Sequence, residues 1–140
     1  MRGKTHNNVN KSQIKMANIE NLNIDTIKGE IWEQVKEFPK YLVSNYGRIY
    51  SFYRDKVIKP YPVGDSRLYL GVVLSKDKMR ACERLHRVVA DAFIPNPKDK
   101  QYVHHIDGNS FNNHADNLMW VTLEEHFAIH AQMKPAKKNQ

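Results

Sequence analysis

Five of the chain's seven histidines, at positions 104, 105, 114, 126 and 130, fall within 27 residues. Their spacing narrows what this part of the chain can fold into. His126 and His130 follow Thr122-Leu123-Glu124-Glu125, which reads as a capping box with Thr122 as N-cap and Glu125 three residues on. Helical residues four apart project from one face, so the two imidazoles can share one metal ion. Leu123, Phe127 and Ala131 form a second stripe, expected to dock the helix on its neighbours, and Pro135 is expected to stop it. His104 and His105 sit in a strand pattern, Tyr102 to Ile106, where neighbours point to opposite faces. One can therefore join the helical pair while the other works on a nearby water. Asp107-Gly108-Asn109 reads as a turn and Asn117 to Val121 as the return strand. The expectation is a ββα unit.

Upstream, short apolar runs alternate with turn residues. Ile31–Val35, Tyr41–Val43, Arg48–Phe52, Val57–Lys59, Leu68–Leu74 and Met79–Leu85 read as antiparallel strands. Turns fall at Ser44-Asn45-Tyr46-Gly47, Gly64-Asp65 and Lys76-Asp77. From His86 to Phe93 the period becomes helical, and Pro95 and Pro97 end that run. The fold class expected is α+β: a small twisted antiparallel sheet region followed by the ββα unit. The divisions expected are a flexible basic arm (1–28), the strand module (29–82), the site-bearing domain (83–133) and a basic tail (134–140). Met16 offers a second start, so Arg2, Lys4, Lys11 and Lys15 are given no functional weight.

The 140 residues carry a formal charge of +7, unevenly spread. Residues 40–90 hold eleven basic and four acidic side chains, whereas residues 91–130 hold two basic and six acidic. The first stretch suits a polyanion and the second a cation. A lone cysteine, Cys82, excludes an intrachain disulfide and any metal site built from several thiolates. No apolar run approaches the roughly 20 residues of a membrane span, and no secretory signal is visible. A protein acting in the cytoplasm of a bacterial or phage-infected cell, without a membrane partner, is expected.

Residues 83–131, with VVADAFIPNP, the H-I-D-G-N turn and N-N-x-x-x-N-L-x-W-V-T, resemble the HNH nucleases of the homing-endonuclease kind. Residues 31–52, with W…Y-x-V-S-N-x-G-R-I-x-S, resemble the nuclease-associated module that often precedes such a domain. Together the matches cover roughly 100 residues, far more than a lone H…N…H. The resemblance implies a metal-dependent DNA endonuclease. It implies His105 as general base, Asn117 as the asparagine that braces the loop and orients the base, and His104, His126 and His130 as ligands of one divalent ion. Some relatives carry Asn in place of His126 and have no third ligand where His130 stands. Imidazole donors suit Zn, Ni or Mn better than Mg.

Double-stranded DNA is the expected partner, contacted by Arg48, Arg54, Lys56, Lys59, Arg67, Lys76, Lys78 and Arg80 as a group. A second copy of the chain, or a phage protein, stays open as a further partner. Two rival readings also stay open: a catalytically silent DNA-binding protein with a structural metal, and an accessory subunit of a phage or mobile-element complex. The remaining residues take plainer roles. Asp107 is expected to form the turn, Asn112 and Asn113 to be loop residues, and His114 to face solvent. His86 is expected to cap or pack, Trp32 and Trp120 to lie in the core, and Cys82 to be buried filler.

Overall fold

A computed structural model describes residues 18–138, with side chains described to residue 132. The described residues run through nine strands and two α-helices: β1 (Trp32–Gln34), β2 (Tyr41–Ser44), β3 (Ile49–Ser51), β4 (Lys56–Ile58), β5 (Tyr61–Val63), β6 (Tyr69–Lys76), β7 (Met79–Arg84), α1 (Leu85–Phe93), β8 (Tyr102–His105), β9 (Leu118–Val121) and α2 (Leu123–Lys138). The expected sheet region divides into two antiparallel sheets, β1-β2-β3-β4 and β5-β6-β7, and β8-β9 forms a separate hairpin. β5 has no counterpart in the sequence reading, because Tyr61-Pro62-Val63 is too short and proline-interrupted to show alternation.

The main core gathers where these layers meet. Val43 and Ile49 from the first sheet, Val72 and Leu74 from the second, Leu85 and Val89 from α1, and Leu118 and Trp120 from β9 pack in one cluster. α1 is the hub, touching β2, β6, β7, β8 and β9. Its apolar face buries Leu85, Val88 and Val89 at the three-and-four spacing of an amphipathic helix. Trp120 adds a hydrogen bond from its indole N–H to the Ile94 carbonyl at 3.0 Å. A smaller cluster holds Trp32, Leu42 and Tyr50, and Ile19, Leu22 and Ile24 pack against it. The stretch 18–28 is therefore anchored where a flexible arm was expected; residues 1–17, with the four basic residues and Met16, lie outside the described residues.

Three expectations need correction. Cys82 is exposed rather than buried. It lies on β7, a sheet-edge strand whose side chains alternate outward, and its sulfur sits 3.5 Å from the Tyr61 hydroxyl. The stripe Leu123-Phe127-Ala131 faces outward, with Phe127 62% exposed. α2 instead turns His126 and Ile129 toward the protein. Finally, α2 continues through Pro135 to Lys138. A proline there forfeits a single hydrogen bond near the helix end, which is tolerable where an interior proline is not.

Candidate active site

The β8-β9 register sets the site. Val103 and His105 share the buried face of β8, opposite Trp120 and Leu118, and Tyr102 and His104 share the other face. The two adjacent histidines thus diverge as strand geometry requires. α2 starts one residue after β9 and is fixed by the capping box. The Thr122 N–H donates to Glu125 Oε1 (2.8 Å), and the Glu125 N–H donates to Thr122 Oγ1 (3.1 Å). His126 then stacks on Tyr102, with centroids 5.8 Å apart and planes at 19°, and stands 4.4 Å from the His130 ring.

One cleft of about 400 Å³ collects the result. His104, His105, His126 and His130 line it, together with Leu68 and Tyr69. The five histidine and asparagine positions expected from the sequence therefore resolve into two groups, four imidazoles lining the cleft and Asn117 outside its lining. Burial first, and the neighbouring His130, His105 and His126 second, hold the His104 pKa below its ordinary value. Burial and His130 do the same for His126. Both directions favour the neutral imidazole, which is the form that binds a metal. His126 Nδ1 is buried with no hydrogen-bond partner. Among the described residues, no three His, Cys, Asp or Glu side chains stand close enough to hold an ion as placed.

The loop between the hairpin strands is held by Asn117. Its Oδ1 accepts the Asp107 N–H (3.0 Å), and its Nδ2 donates to Asp107 Oδ1 (3.0 Å) and the Asn112 carbonyl (2.8 Å). Asp107 also accepts from the Asn109 N–H and the Asn112 side chain, and these donors hold its carboxyl below the usual range. Asp107 closes the turn through Asn109, as expected of it, and also ties the turn to Asn112 and Asn117.

Asn117 braces the loop, but the group that touches His105 is Asn113. His105 Nε2 lies 2.8 Å from Asn113 Oδ1, with both side chains buried. With Oδ1 as acceptor, the imidazole carries its proton on Nε2 and keeps the Nδ1 lone pair free. The sequence makes Asn113 a plain loop residue, since nothing in a run such as Asn112-Asn113 separates a loop asparagine from one aimed at a histidine. His86 packs against the other side of His105, ring centroids 5.0 Å apart at 64°. It is buried, as expected, and its pKa is pushed down to about 3, chiefly by burial and then by His105 and the arginines at 87 and 84. His114 is exposed, and stacks on Tyr46 at 4.8 Å.

The basic residues separate. Arg54, Lys78 and Arg80 line a second cavity of about 420 Å³ with Tyr41 and Tyr53. Lys56, Lys59, Arg67 and Lys76 are exposed on the same half of the chain. Arg48 is taken up internally: its Nε and Nη2 donate to the Glu30 carboxylate at 2.8 and 2.6 Å, and Nη2 also reaches the Asp25 carbonyl. Glu30 is 1% exposed in its side chain, and the ion pair raises the Arg48 pKa.

A ββα unit with a buried histidine beside a cluster of imidazoles, preceded by a small sheet module, defines a recognisable class. Residues 30–84 match the NUMOD4 motif, and residues 83–128 match an HNH endonuclease domain. The chain belongs to the HNH homing endonuclease family. An uncharacterized HNH endonuclease of Acanthamoeba polyphaga mimivirus is 38% identical over 103 residues, covering 70% of this chain and 25% of that protein. DNA endonuclease I-HmuI of Bacillus phage SP01 is 35% identical over 92 residues, covering 65% and 52%. The solved structure titled for DNA binding and cleavage by the HNH homing endonuclease I-HmuI matches with a TM-score of 0.64 at 29% identity, over 78% of this chain and 60% of that one. The chain thus spans between a quarter and about half the length of these curated relatives. Among the described residues, no helix is long and apolar enough to cross a membrane.

Proposed function

We propose that the chain is a divalent-metal-dependent endonuclease that hydrolyses phosphodiester bonds of double-stranded DNA, with residues 83–133 as the nuclease unit and residues 29–82 as a DNA-contacting module. The observation that carries this reading is the asymmetry of the cleft. Three imidazoles, His104, His126 and His130, face it from two elements, and a fourth, His105, is tied back through Nε2 with Nδ1 left over. A purely structural metal clip has no use for the fourth.

In this reading His105 Nδ1 takes a proton from the attacking water, a task suited to an imidazole near neutral pH. Asn113 holds the tautomer that leaves Nδ1 basic, and Asn117 holds the loop that carries Asn113. His104, His126 and His130, the three other imidazoles lining the cleft, would hold the ion. A bound divalent cation supplies charge stabilisation at the scissile phosphate and the leaving oxygen. Arg54, Lys78 and Arg80, with the exposed Lys56, Lys59, Arg67 and Lys76, bear on the DNA backbone; Arg48 is engaged within the fold.

The test is supercoiled plasmid incubated with the purified chain and Mg²⁺, Mn²⁺, Zn²⁺ or Ni²⁺, beside EDTA and His105→Ala controls. Nicked circles are expected with Mn²⁺, Zn²⁺ or Ni²⁺ in preference to Mg²⁺. The His105→Ala variant is expected to lose about 10²–10⁴-fold in rate while still binding metal. Linear product at early times would identify a dimer that cuts both strands. Salt-sensitive DNA binding without cleavage under any metal would overturn the reading in favour of a silent DNA-binding protein.

A further inference from the structure

The module upstream of the nuclease unit meets the active-site loop at two places, through the Ser110 hydroxyl on the Leu68 carbonyl and through the turn at residues 44–47. Ser44-Asn45-Tyr46-Gly47 closes with a hydrogen bond from the Gly47 N–H to the Ser44 carbonyl (3.0 Å), and the buried Ser44 hydroxyl accepts from the Tyr46 and Arg48 N–H groups. On one side the turn is bonded to the start of β1, where Asn45 exchanges hydrogen bonds with Ile31. On the other side it meets the loop between β8 and β9. The Asn45 carbonyl accepts the Ala115 N–H at 2.8 Å, and the Tyr46 ring stacks on His114.

Between these two contacts lies the tightest approach. Gly47 has φ +86, and a Cβ built on it would stand 3.1 Å from the Asn113 carbonyl oxygen and 3.3 Å from the Asn113 Cβ. Those neighbours are backbone and the root of a buried side chain, so neither can swing aside. Asn113 itself would have to move. Its Oδ1 is the partner of His105 Nε2.

We propose that Gly47 is a positioning residue for the nuclease reaction: the bare backbone of the upstream turn sets where Asn113 sits, and Asn113 in turn sets the tautomer and direction of His105. The upstream module is then a structural part of the catalytic apparatus as well as a contact for DNA. This rests on the reading of His105 as the general base.

Gly47→Ala and Asn113→Ala, singly and together, test the relay. Gly47→Asn serves as a second form of the first variant, because asparagine adopts positive φ at lower cost and still places a Cβ against Asn113. Three quantities are read: the single-turnover rate on supercoiled plasmid, the affinity for the same DNA, and the His105 imidazole N–H signal by NMR without metal or DNA. A displacement of a few tenths of an ångström is expected to cost about 10-fold in rate, and a larger one up to about 10²-fold. DNA affinity is expected to hold within about twofold, and the double variant to be no slower than Asn113→Ala alone by more than about twofold. The slowly exchanging Nε2–H signal of the wild type is expected to be lost or shifted in each variant. Rate losses that multiply in the double variant, a loss confined to affinity, or an unchanged imidazole signal would each overturn the relay. Failure of the nuclease reading shows separately, as a wild type that does not cleave, and the NMR comparison still decides the link between Gly47 and His105.

Discussion

His86 shows how one buried residue can make the whole fold sensitive to acid. It sits under the His105 ring, 7% exposed, with its Nδ1 unpartnered. Its pKa in the folded protein is about 3, against about 6.5 in an unfolded chain. The unfolded state therefore binds more protons between these two values, and stability must fall as the pH drops below about 6.5. Each pH unit in that window costs up to about 1.4 kcal/mol, so the protein at pH 5 is expected to be about 2 kcal/mol less stable than at pH 7 on this account. His86→Leu removes the titrating group while filling similar space. Urea unfolding at the two pH values should show a clearly smaller difference in the variant; an equal difference would move the acid sensitivity to other groups.

At the level of elements, α2 depends on its first turn, because its apolar stripe of Leu123 and Phe127 stays exposed. Thr122→Ala removes the acceptor for the Glu125 N–H and is expected to cost about 1 kcal/mol. Thermal unfolding should register that loss, and metal affinity should fall with it, since His126 and His130 ride on the same helix. The capping box was legible because it is a local signal, two residues satisfying each other's backbone. The strands were legible for the same reason: alternation along Tyr102–His105 already separates His104 from His105. What the helix turns inward was not legible. Apolar spacing nominated Leu123 and Phe127, yet the neighbour offered by the hairpin is Tyr102, which takes the flat face of His126. Asn113 was read as a plain loop residue because its contacts are with a residue eight positions away and a turn more than sixty positions upstream, which no local pattern records. Cys82 was misjudged because burial depends on whether β7 is an edge or a centre strand, which the sequence does not state.

Over the whole molecule, charge separates into what holds the fold and what faces a polyanion. Arg54, Lys78 and Arg80 converge with Tyr53 around one cavity between the two sheets, and none of them is in an ion pair among the described residues. If they lie against DNA phosphates, each releases condensed counterions, and each contributes about 0.9 to the slope of log affinity against log salt. Replacing all three by alanine is expected to reduce that slope by about 3 units, with little change in unfolding temperature. Arg48 predicts the reverse pattern. Removing it strands the Glu30 carboxylate, which is almost wholly buried, and breaking such a pair is expected to cost about 3 kcal/mol. The salt slope of the Arg48→Ala variant should match the wild type. Binding titrations between low and moderate salt, beside thermal melts of the wild type, the triple variant and Arg48→Ala, separate the two roles. A triple variant that keeps the full slope would remove the inter-sheet cavity from the DNA interface and leave the contact to the exposed Lys56, Lys59, Arg67 and Lys76.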